Sequence, residues 1–396
     1  MKWTLKCSVC GSRSHEAEQM TCAACGPWGI LEVEGEWGRP LESKRGMERF
    51  LPLLALPAEA KLPPVLVGDT PVCEAPRLAT HLGLTRLRLK DEGRNPSGSL
   101  KDRASWMGAV HAQGRTVACA STGNAASSLA AMCAALDQKA VIFVPERAPA
   151  PKVAQLQVFG ATVFRVRGNY DEAYELCTKA IEHYGWYPRS AAINPVLVEG
   201  KKTCGLEIAE LEAADWVAVS VGDGCTIAGI WKGLKEMHQL GILERLPRLL
   251  GVQAEGAPAV FREWMNKGDT GPARAPRAAE AETLADSISV GVPRNWRRAV
   301  RAIDESGGKV VCVSDAQIEE AMRLSARLGG VYAEPAAATA VAGLVDSEVS
   351  GSAIAVVSGS GLKDVAGAQK AGGEPHTVSP DLEAVVTCIE SSMLRG

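Results

Sequence analysis

The sequence predicts an α/β fold built on largely parallel β-sheet, and three observations lead to that prediction. From residue 84 onward, segments with strand-like and helix-like patterns alternate. Some of the predicted strands are continuous apolar runs, such as 141–144 and 216–221, which is typical of strands covered on both faces. Polar or glycine-rich turns follow four of the strands, at the edge where open parallel sheets bind their ligands.

The alternation gives bounds for the individual elements. Strands are predicted at residues 84–90, 116–121, 140–145, 162–167, 216–222, 249–255, 309–314 and 353–359. Helices are predicted at residues 104–113, 124–136, 153–159, 171–184, 202–211, 226–240, 315–328 and 336–344. Residues 28–64 contain proline and charge without a sustained period, so we expect a connector that wraps the main body.

The composition argues against several classes of protein. The chain has 396 residues, 46% of them hydrophobic, which is enough for one large or two medium cores. Its formal net charge of -3 gives no general electrostatic basis for binding nucleic acid or an anionic membrane. No stretch approaches the ~18 apolar residues of a membrane span, and residues 1–7 lack the apolar core of a signal peptide. We therefore expect a cytoplasmic protein that binds neither nucleic acid nor membrane.

Four cysteines near the N-terminus indicate a metal site. Cys7, Cys10, Cys22 and Cys25 form two Cys-x-x-Cys knuckles, each followed by glycine. Four thiolates can close a tetrahedral structural zinc site, and the glycines let backbone amides point at the thiolates. Residues 1–30 are therefore predicted to form a zinc-ribbon-like unit. Two alternatives stay open: knuckles that hold no metal, and a nucleic-acid-binding ribbon, against which the scarcity of basic residues argues.

A lysine lies at a predicted strand–turn–helix junction. Residues 95–103 read Asn-Pro-Ser-Gly-Ser-Leu-Lys-Asp-Arg, between the strand at 84–90 and the helix at 104–113. Proline and glycine shape the turn, and Ser99 is available as an N-cap. Partial burial at such a junction would lower the pKa of Lys101 and make it a nucleophilic amine. An ordinary capped helix start with a solvated lysine is the alternative at this point.

A glycine-rich turn follows the strand predicted at 216–222. It consists of Gly222, Asp223, Gly224, Cys225 and Thr226. Glycines let backbone amides converge on an anion, the helix N-terminus adds its positive end, and threonine adds a hydroxyl, so this turn can bind a phosphate. It has neither a P-loop ending nor a dinucleotide fingerprint, and many strand–helix turns look similar.

Two further polar turns follow predicted strands. The first consists of Ser121, Thr122, Gly123 and Asn124, where hydroxyls, an amide and exposed backbone N–H groups can bind a carboxylate; a simple N-cap is the alternative. Ser358 begins the turn after the last clear strand. A nucleophilic lysine together with a phosphate-binding turn indicates a phosphorylated aldehyde held as a Schiff base, which is pyridoxal 5'-phosphate.

The order of these motifs resembles the threonine synthase family, whose members have the type II fold of pyridoxal-phosphate enzymes. The resemblance rests on the ribbon found in some members and on residues 90–93, 95–103, 121–124, 193–195, 199–203, 252–256, 334–336 and 361–364. It implies a tryptophan synthase β-like fold with two open, mainly parallel sheet domains. Residues 31–104 and 190–396 would form a large cofactor-binding domain, and residues 105–189 a small inserted α/β domain. The resemblance also implies a homodimer.

The resemblance implies which residues bind the cofactor. Lys101 would hold it as a Schiff base and transfer the α-proton of the substrate. Asn124 would bond the phenolic oxygen, and residues 222–226 would hold the phosphate. Asp223 stands where members usually have asparagine, and it would repel a phosphate unless its side chain turns away. Ser358 would face the pyridine nitrogen, where a hydroxyl partner favours elimination and replacement over transamination.

The substrate pocket departs from the family pattern. The resemblance assigns to this pocket Ser121, Thr122, Gly123, Ala191, Ala192 and Leu197. The first three would bind the substrate carboxylate. At the other three positions members have Asn, Ser and Arg, which grip the phosphate of O-phosphohomoserine, so a charge-assisted contact is lost here. We therefore expect an amino-acid substrate other than O-phosphohomoserine, with a neutral or bulkier side chain.

Three functions stay open. The first is a pyridoxal-phosphate dependent lyase that catalyses β- or γ-elimination or replacement on a small-molecule amino acid. The second is a genuine threonine synthase with a rebuilt phosphate site, or a serine/threonine dehydratase-type lyase. The third is a non-catalytic scaffold that binds a cofactor or a metal, against which the intact Lys101 and the 121–124 turn argue.

Overall fold

The described residues, 3–266 and 273–393 of a computed structural model, form strands and helices that largely alternate after residue 86. The strands are β1 Trp3–Cys7, β2 Arg13–Ser14, β3 Leu31–Gly35, β4 Val72–Glu74, β5 Arg86–Asp91, β6 Val117–Ala120, β7 Ala140–Pro145, β8 Thr162–Val166, β9 Tyr187–Pro188, β10 Trp216–Ser220, β11 Arg248–Ala254, β12 Lys309–Val313 and β13 Ser352–Val357. The helices are α1 Gly46–Arg49, α2 Pro76–His81, α3 Lys101–Ala112, α4 Asn124–Ala135, α5 Ala150–Val158, α6 Tyr170–Tyr184, α7 Pro195–Ala209, α8 Cys225–Gln239, α9 Ala259–Met265, α10 Trp296–Glu305, α11 Asp315–Gly329, α12 Pro335–Asp346, α13 Val365–Gly372 and α14 Leu382–Met393.

The strands form sheets of six, four and three strands. The six-stranded sheet has the order β12-β11-β10-β13-β5-β4, and all its pairs are parallel except β4 with β5. The four-stranded sheet, β8-β7-β6-β9, is parallel throughout. The N-terminal sheet, β2-β1-β3, is antiparallel. The predicted α/β class, with parallel and mixed sheets, is confirmed.

Both faces of the six-stranded sheet are buried. On one face, Leu250 and Val252 of β11 belong to a core that also includes residues of α11 and α12. On the other face, Val217 and Val219 of β10 belong to a core with α7, α8 and α10. The continuous apolar runs in the sequence follow from this arrangement, because neither face of the sheet meets water.

Among helices of the described residues, none is long and apolar enough to cross a membrane.

Several predicted bounds were wrong. The helix predicted at 202–211 begins seven residues earlier, because the Asn194 side chain accepts a hydrogen bond from the Val196 amide and Pro195 opens the helix. Helix α3 begins at Lys101 rather than residue 104. The expected N-cap is absent there, since the cap position is Leu100 and the buried Ser99 hydroxyl has no hydrogen-bond partner among the described residues. The predicted connector at 28–64 contains β3, which pairs with β1.

A buried ion network joins three of these elements next to Lys101. The Arg103 guanidinium, fully buried on α3, donates to Glu92 Oε2 at 2.7 Å and to Glu207 Oε2 at 2.8 Å. Lys90, at the end of β5, donates to the same Glu207 oxygen at 2.6 Å. Burial alone would raise the pKa of Glu207, but the charges of Arg103 and Lys90 lower it to about 2. The network therefore fixes α3 against β5 and α7.

Replacing Arg103 with methionine should leave the buried Glu92 carboxylate without its cation and leave Glu207 with Lys90 alone. We expect Arg103→Met to lower the free energy of unfolding by about 3–5 kcal/mol, measured by urea denaturation. The matched control is Arg86→Gln, which removes an exposed arginine paired with Glu74 and should cost less than about 1 kcal/mol. Equal losses in the two variants would contradict a structural role for the buried network.

Candidate active site

The turn before Lys101 meets the turn after β13. The Leu100 amide donates to the Ser358 carbonyl at 2.9 Å, and Ser99 forms an isolated antiparallel bridge with Gly359. Lys101 and Ser358 were predicted from segments more than 250 residues apart in sequence, and the structure brings them to the same edge of the six-stranded sheet. Parallel sheets place their ligands at this carboxyl edge.

Lys101 has the electrostatic setting of a reactive amine. Its burial lowers its pKa to about 8, and the positive charges of Lys201 and Arg189 act in the same direction. Cys225 and Glu334 act in the opposite direction but are outweighed. At pH 7 roughly one molecule in ten would carry the unprotonated amine, against fewer than about one in a thousand for an unperturbed lysine. The solvated lysine considered from the sequence is therefore not what the structure shows.

Asn124 lies at the start of α4 and contacts Glu334, an acidic residue to which the sequence assigned no role. Its Nδ2 donates to Glu334 Oε1 at 2.7 Å and is 3.5 Å from Ser287 Oγ. Burial raises the pKa of Glu334, although Asn124 and the charge of Lys101 oppose the rise. Glu334 was part of a quoted motif, but its sequence position alone did not place it beside Asn124. The Asn124 amide nitrogen therefore donates to two protein groups, Glu334 and, at the longer distance, Ser287.

The turn before α4 lies between two cavities. Ser121 lines a cavity of about 370 Å³, whereas Thr122, Gly123 and Asn124 line a smaller one of about 40 Å³. The Gly123 amide donates to Ser121 Oγ at 3.2 Å, and the cap position of α4 is Gly123 with no side-chain bond to the helix. A simple N-cap by Ser121 or Asn124 is therefore not present.

The glycine-rich turn leads from β10 into the fifteen-residue helix α8. Gly224 has φ +96°, and a Cβ at that position would lie 2.9 Å from Ala299 Cβ, so the turn requires glycine there. At Gly222 a Cβ would lie 2.9 Å from Ile288 Cα. Thr226 follows as the second residue of the helix and is partly exposed. The free N–H groups of the helix start give this turn the character of an anion site.

The charges around this turn are arranged to accept an anion. The Asp223 carboxylate accepts hydrogen bonds from the Arg294 amide at 2.7 Å and from the Asn295 side-chain amide. These two donors stabilise its negative charge. Lys201, which is 1% exposed, donates to Cys225 Sγ at 2.5 Å. The repulsion expected from Asp223 is thus offset by its own partners and by a buried cation beside Cys225.

The three apolar residues predicted at the substrate occupy different surroundings. Ala191 lines the 370 Å³ cavity, and the carbonyls of Ala191 and Ala192 are each 3.3 Å from Asn295 Nδ2, which donates to them. Leu197 is fully buried within α7, and its Cδ2 lies 2.9 Å from the point where a Cβ on Gly108 would be. Leu197 therefore packs against α3 and is not among the residues that line either cavity.

The four N-terminal cysteines converge. The Sγ atoms of Cys7, Cys10, Cys22 and Cys25 all lie within 4.8 Å of one another. The glycine after each knuckle has positive φ, +74° and +65°, and the Val9 amide donates to Cys7 Sγ at 3.4 Å. This geometry allows the cysteines to hold one metal ion in a tetrahedral site.

Comparison with known proteins settles the family. Residues 64–360, three quarters of the chain, match the family described as pyridoxal-phosphate dependent enzyme. The chain belongs to this family. The cofactor expected from the lysine and the phosphate-binding turn is thereby supported, and the resemblance drawn from the motifs is confirmed.

The curated relatives of this pyridoxal-phosphate dependent enzyme include threonine synthases. That of Methanocaldococcus jannaschii is 34% identical over 403 residues, covering 96% of this chain and 98% of the relative. That of Mycobacterium tuberculosis H37Rv is 37% identical over 314 residues, covering 76% and 83%. The first of these matches covers nearly the whole of both chains.

Solved structures show the same fold. The processed form of threonine deaminase isoform 2 from Solanum lycopersicum superposes with a TM-score of 0.64 at 21% identity, covering 80% of this chain and 97% of the other. A fungal L-serine ammonia-lyase from Rhizomucor miehei gives 0.64 at 19% identity, covering 76% and 97%. At this identity the likeness concerns the fold alone.

The site fits the cofactor that the family implies. Lys101 supplies an amine of lowered pKa, and the start of α8 supplies free N–H groups in a turn whose packing against Ala299 requires glycine at Gly224. Lys201 and Arg189 add buried positive charge that an anionic cofactor would balance. The roles of the individual residues stay predictions.

The lowered pKa of Lys101 predicts how its reactivity depends on pH. For protein stripped of cofactor, the rate constant for reaction with added pyridoxal phosphate should rise about tenfold from pH 6 to 7 and level off above about pH 8. The measurement is the growth of visible absorbance after mixing. Lys101→Ala should show no saturable reaction, and a rate that keeps rising to pH 10 in the wild type would contradict the burial effect.

Proposed function

We propose that the protein is a pyridoxal-phosphate dependent lyase that catalyses β- or γ-elimination, or replacement, on an amino acid other than O-phosphohomoserine. The observation that supports it best is that the partly buried Lys101 lies beside the turn of Ser358, with the glycine-rich turn 222–226 leading into α8. The bound cofactor would supply an electron sink that makes the α-hydrogen of the amino acid acidic.

The residues of the chain would divide the remaining tasks. Lys101 would accept the α-proton and return it, which a pKa of about 8 allows near neutral pH. Asn124, held by Glu334, would direct its side-chain amide at the cofactor. Ser358 would offer a neutral hydroxyl, where a carboxylate would instead favour a protonated ring. The Ser121 hydroxyl and the amides that follow it would bind the substrate carboxylate.

The exclusion of O-phosphohomoserine rests on the pocket. Ala191 contributes only a methyl group to the cavity wall, and Leu197 is packed away against Gly108. Neither can form the charge-assisted contacts that the family pattern places there. A genuine threonine synthase is the second candidate, favoured by the name of the Methanocaldococcus jannaschii relative and the near-complete coverage of both chains.

Loss of the lysine should abolish the cofactor signal. Wild-type protein loaded with pyridoxal phosphate should show visible absorbance and release a keto acid from at least one amino acid with a β- or γ-leaving group. Lys101→Ala should lose the product and the lysine-dependent absorbance, because no other amine replaces it. The exposed Lys179→Ala variant is the control and should match wild type. If the loaded wild-type protein shows no visible absorbance, the proposal is wrong.

O-phosphohomoserine distinguishes the two candidate functions. We expect phosphate release from it to be at least about a hundredfold slower than turnover of the preferred substrate, because a dianion lacks its charged partners at these positions. The measurement is inorganic phosphate released per enzyme per minute. Rapid release coupled to threonine formation would establish the second candidate instead.

We also propose that Cys7, Cys10, Cys22 and Cys25 bind structural zinc. Purified protein should contain about one zinc ion per chain. The double variant Cys7→Ser, Cys22→Ser should lose it and melt at a lower temperature, because metal binding contributes to folding. Elemental analysis and a thermal melt measure both effects. Cys312→Ser, which changes a cysteine of β12, should keep its zinc, and full zinc in the double variant would refute the site.

A further inference from the structure

We propose that a cavity between the N-terminal sheet and helices α7, α8 and α10 binds a small molecule by its carboxylate or phosphate group, and that this anion weakens cofactor binding. Arg298 of α10 is the residue that binds the anion. The site itself does not depend on which reaction the protein catalyses. Its effect on the cofactor rests on the prediction that residues 222–226 hold the cofactor phosphate.

The cavity lies apart from the candidate active site. Its volume is about 500 Å³, and its wall comes from β3, from the three helices and from Trp37. Among the described residues, none lines both this cavity and either of the cavities beside the 121–124 turn. Gln239 and Arg301 line it and are exposed, so it opens to solvent. Cavities of about 150 Å³ accept a molecule as large as benzene, so a small organic molecule has room here.

Arg298 is a buried cation in this wall with unused donors. It is 4% exposed, its Nη1 donates to the Leu31 carbonyl at 3.3 Å, and its Nη2 donates to Asn295 Oδ1. These bonds use two of five N–H donors, and its Nε has no hydrogen-bond partner among the described residues. Within residues 3–266 and 273–393, no ion pair joins Arg298 to a carboxylate. Burial lowers its pKa, and an oxyanion would relieve that cost.

The carboxylates of the same wall already have cations. Glu199 and Glu236 pair with the Lys202 amine at 2.6 and 2.9 Å. Glu32 opposes the effect of burial on the pKa of Arg298, but it is itself paired with Arg301. The charge left without a partner in this wall is therefore positive. A guanidinium with free N–H groups matches the oxygens of a carboxylate or phosphate, so the occupant is an anion rather than a cation.

Arg298 is connected to the glycine-rich turn through Asn295. Asn295 accepts from Arg298 at its side-chain oxygen, while its Nδ2 donates to the Asp223 carboxylate. The Asn295 backbone amide also donates to the Asp223 carbonyl at 3.2 Å. A Cβ on Gly224 would lie 2.9 Å from the Asn295 carbonyl oxygen. A single residue thus separates the cavity from the turn that is predicted to hold the cofactor phosphate.

The direction of the coupling follows from charge. Asp223 and Cys225 both act on the pKa of Arg298, so the positive charge of Arg298 in turn adds to the potential that attracts an anion to their turn. An anion bound to Arg298 would offset this charge and compete with Asn295 for its N–H groups. Both effects weaken phosphate binding at residues 222–226. By linkage, bound cofactor weakens anion binding by the same factor.

The first experiment measures anion binding by calorimetry on the cofactor-loaded protein, whose phosphate turn is already filled. The probes are malonate and glycerol 3-phosphate, each compared with an uncharged counterpart, malonamide and glycerol, so that the arms separate carboxylate from phosphate. We expect at least one anion to bind about tenfold more tightly than its counterpart. Arg298→Gln should lose this preference, whereas Arg165→Gln, which removes an exposed arginine of β8, should keep it.

Two variants at the opening keep the test decisive if Arg298→Gln folds poorly. Gln239 is exposed and makes no contact with the bonds of Arg298 described above. Gln239→Lys should tighten binding of the preferred anion about twofold, and Gln239→Glu should weaken it by a similar factor. A merely structural role of Arg298 predicts a lower melting temperature for Arg298→Gln, no anion preference in wild type and no effect of either change at Gln239.

The second experiment measures the Kd of cofactor-stripped protein for pyridoxal phosphate from its visible absorbance, at increasing concentrations of the preferred anion. The Kd should rise about fivefold and then level off, and the rise should vanish in Arg298→Gln. A rise without limit that is the same in wild type and Arg298→Gln would show direct competition at the phosphate turn and refute the coupling. An unchanged Kd would also refute it.

The outcomes for the site are separate from those for the reaction. Equal binding of charged and uncharged probes by wild type refutes the anion site. An anion preference that persists in folded Arg298→Gln places the anion elsewhere and refutes it as well. Neither experiment measures turnover, so failure of the proposed lyase reaction leaves both results interpretable.

Discussion

The position of the reactive lysine depends on the buried pairing of Arg103 with Glu92 and Glu207. Arg103 lies two residues after Lys101 on α3, while its carboxylate partners come from the end of β5 and from α7. Glu92 also accepts a hydrogen bond from Asn95, and Glu207 accepts one from the Asp69 amide. A full set of partners compensates the desolvation of these charges, so the network sets orientation more than it adds stability.

Charge compensation also explains how the active site differs from that network. Around Lys101 the buried cations Lys201 and Arg189 form no ion pair with a carboxylate of the described residues, and the nearby acidic group, Glu334, has a pKa raised by burial. The same chain therefore neutralises its structural charges internally and leaves its site with surplus positive charge. Such a surplus is stable only where ligands complete it, which makes the site dependent on anions from outside.

The fold could be predicted from the sequence where local patterns decide it. The strand at 140–145 and the start of the helix at 315 follow apolar runs and caps, and both agree with the structure. Short elements such as β4 were missed because three residues of an edge strand have no period to read. In the site, the turns at 121–124 and 222–226 could be found by their local chemistry. The contacts of Arg189 with Ser105 Oγ and the Lys101 carbonyl join residues far apart in sequence, so no local pattern reveals them.

Met20, between the second and third cysteines of the ribbon, lines the same cavity as Ser121 and Arg189. The N-terminal segment is thus part of the wall of this cavity as well as a peripheral module. A shortened chain that starts after residue 30, a usual choice when a catalytic core is sought, would open this wall to water. Exchange of ribbons between relatives would accordingly change the wall of this cavity without altering any residue of the catalytic turns.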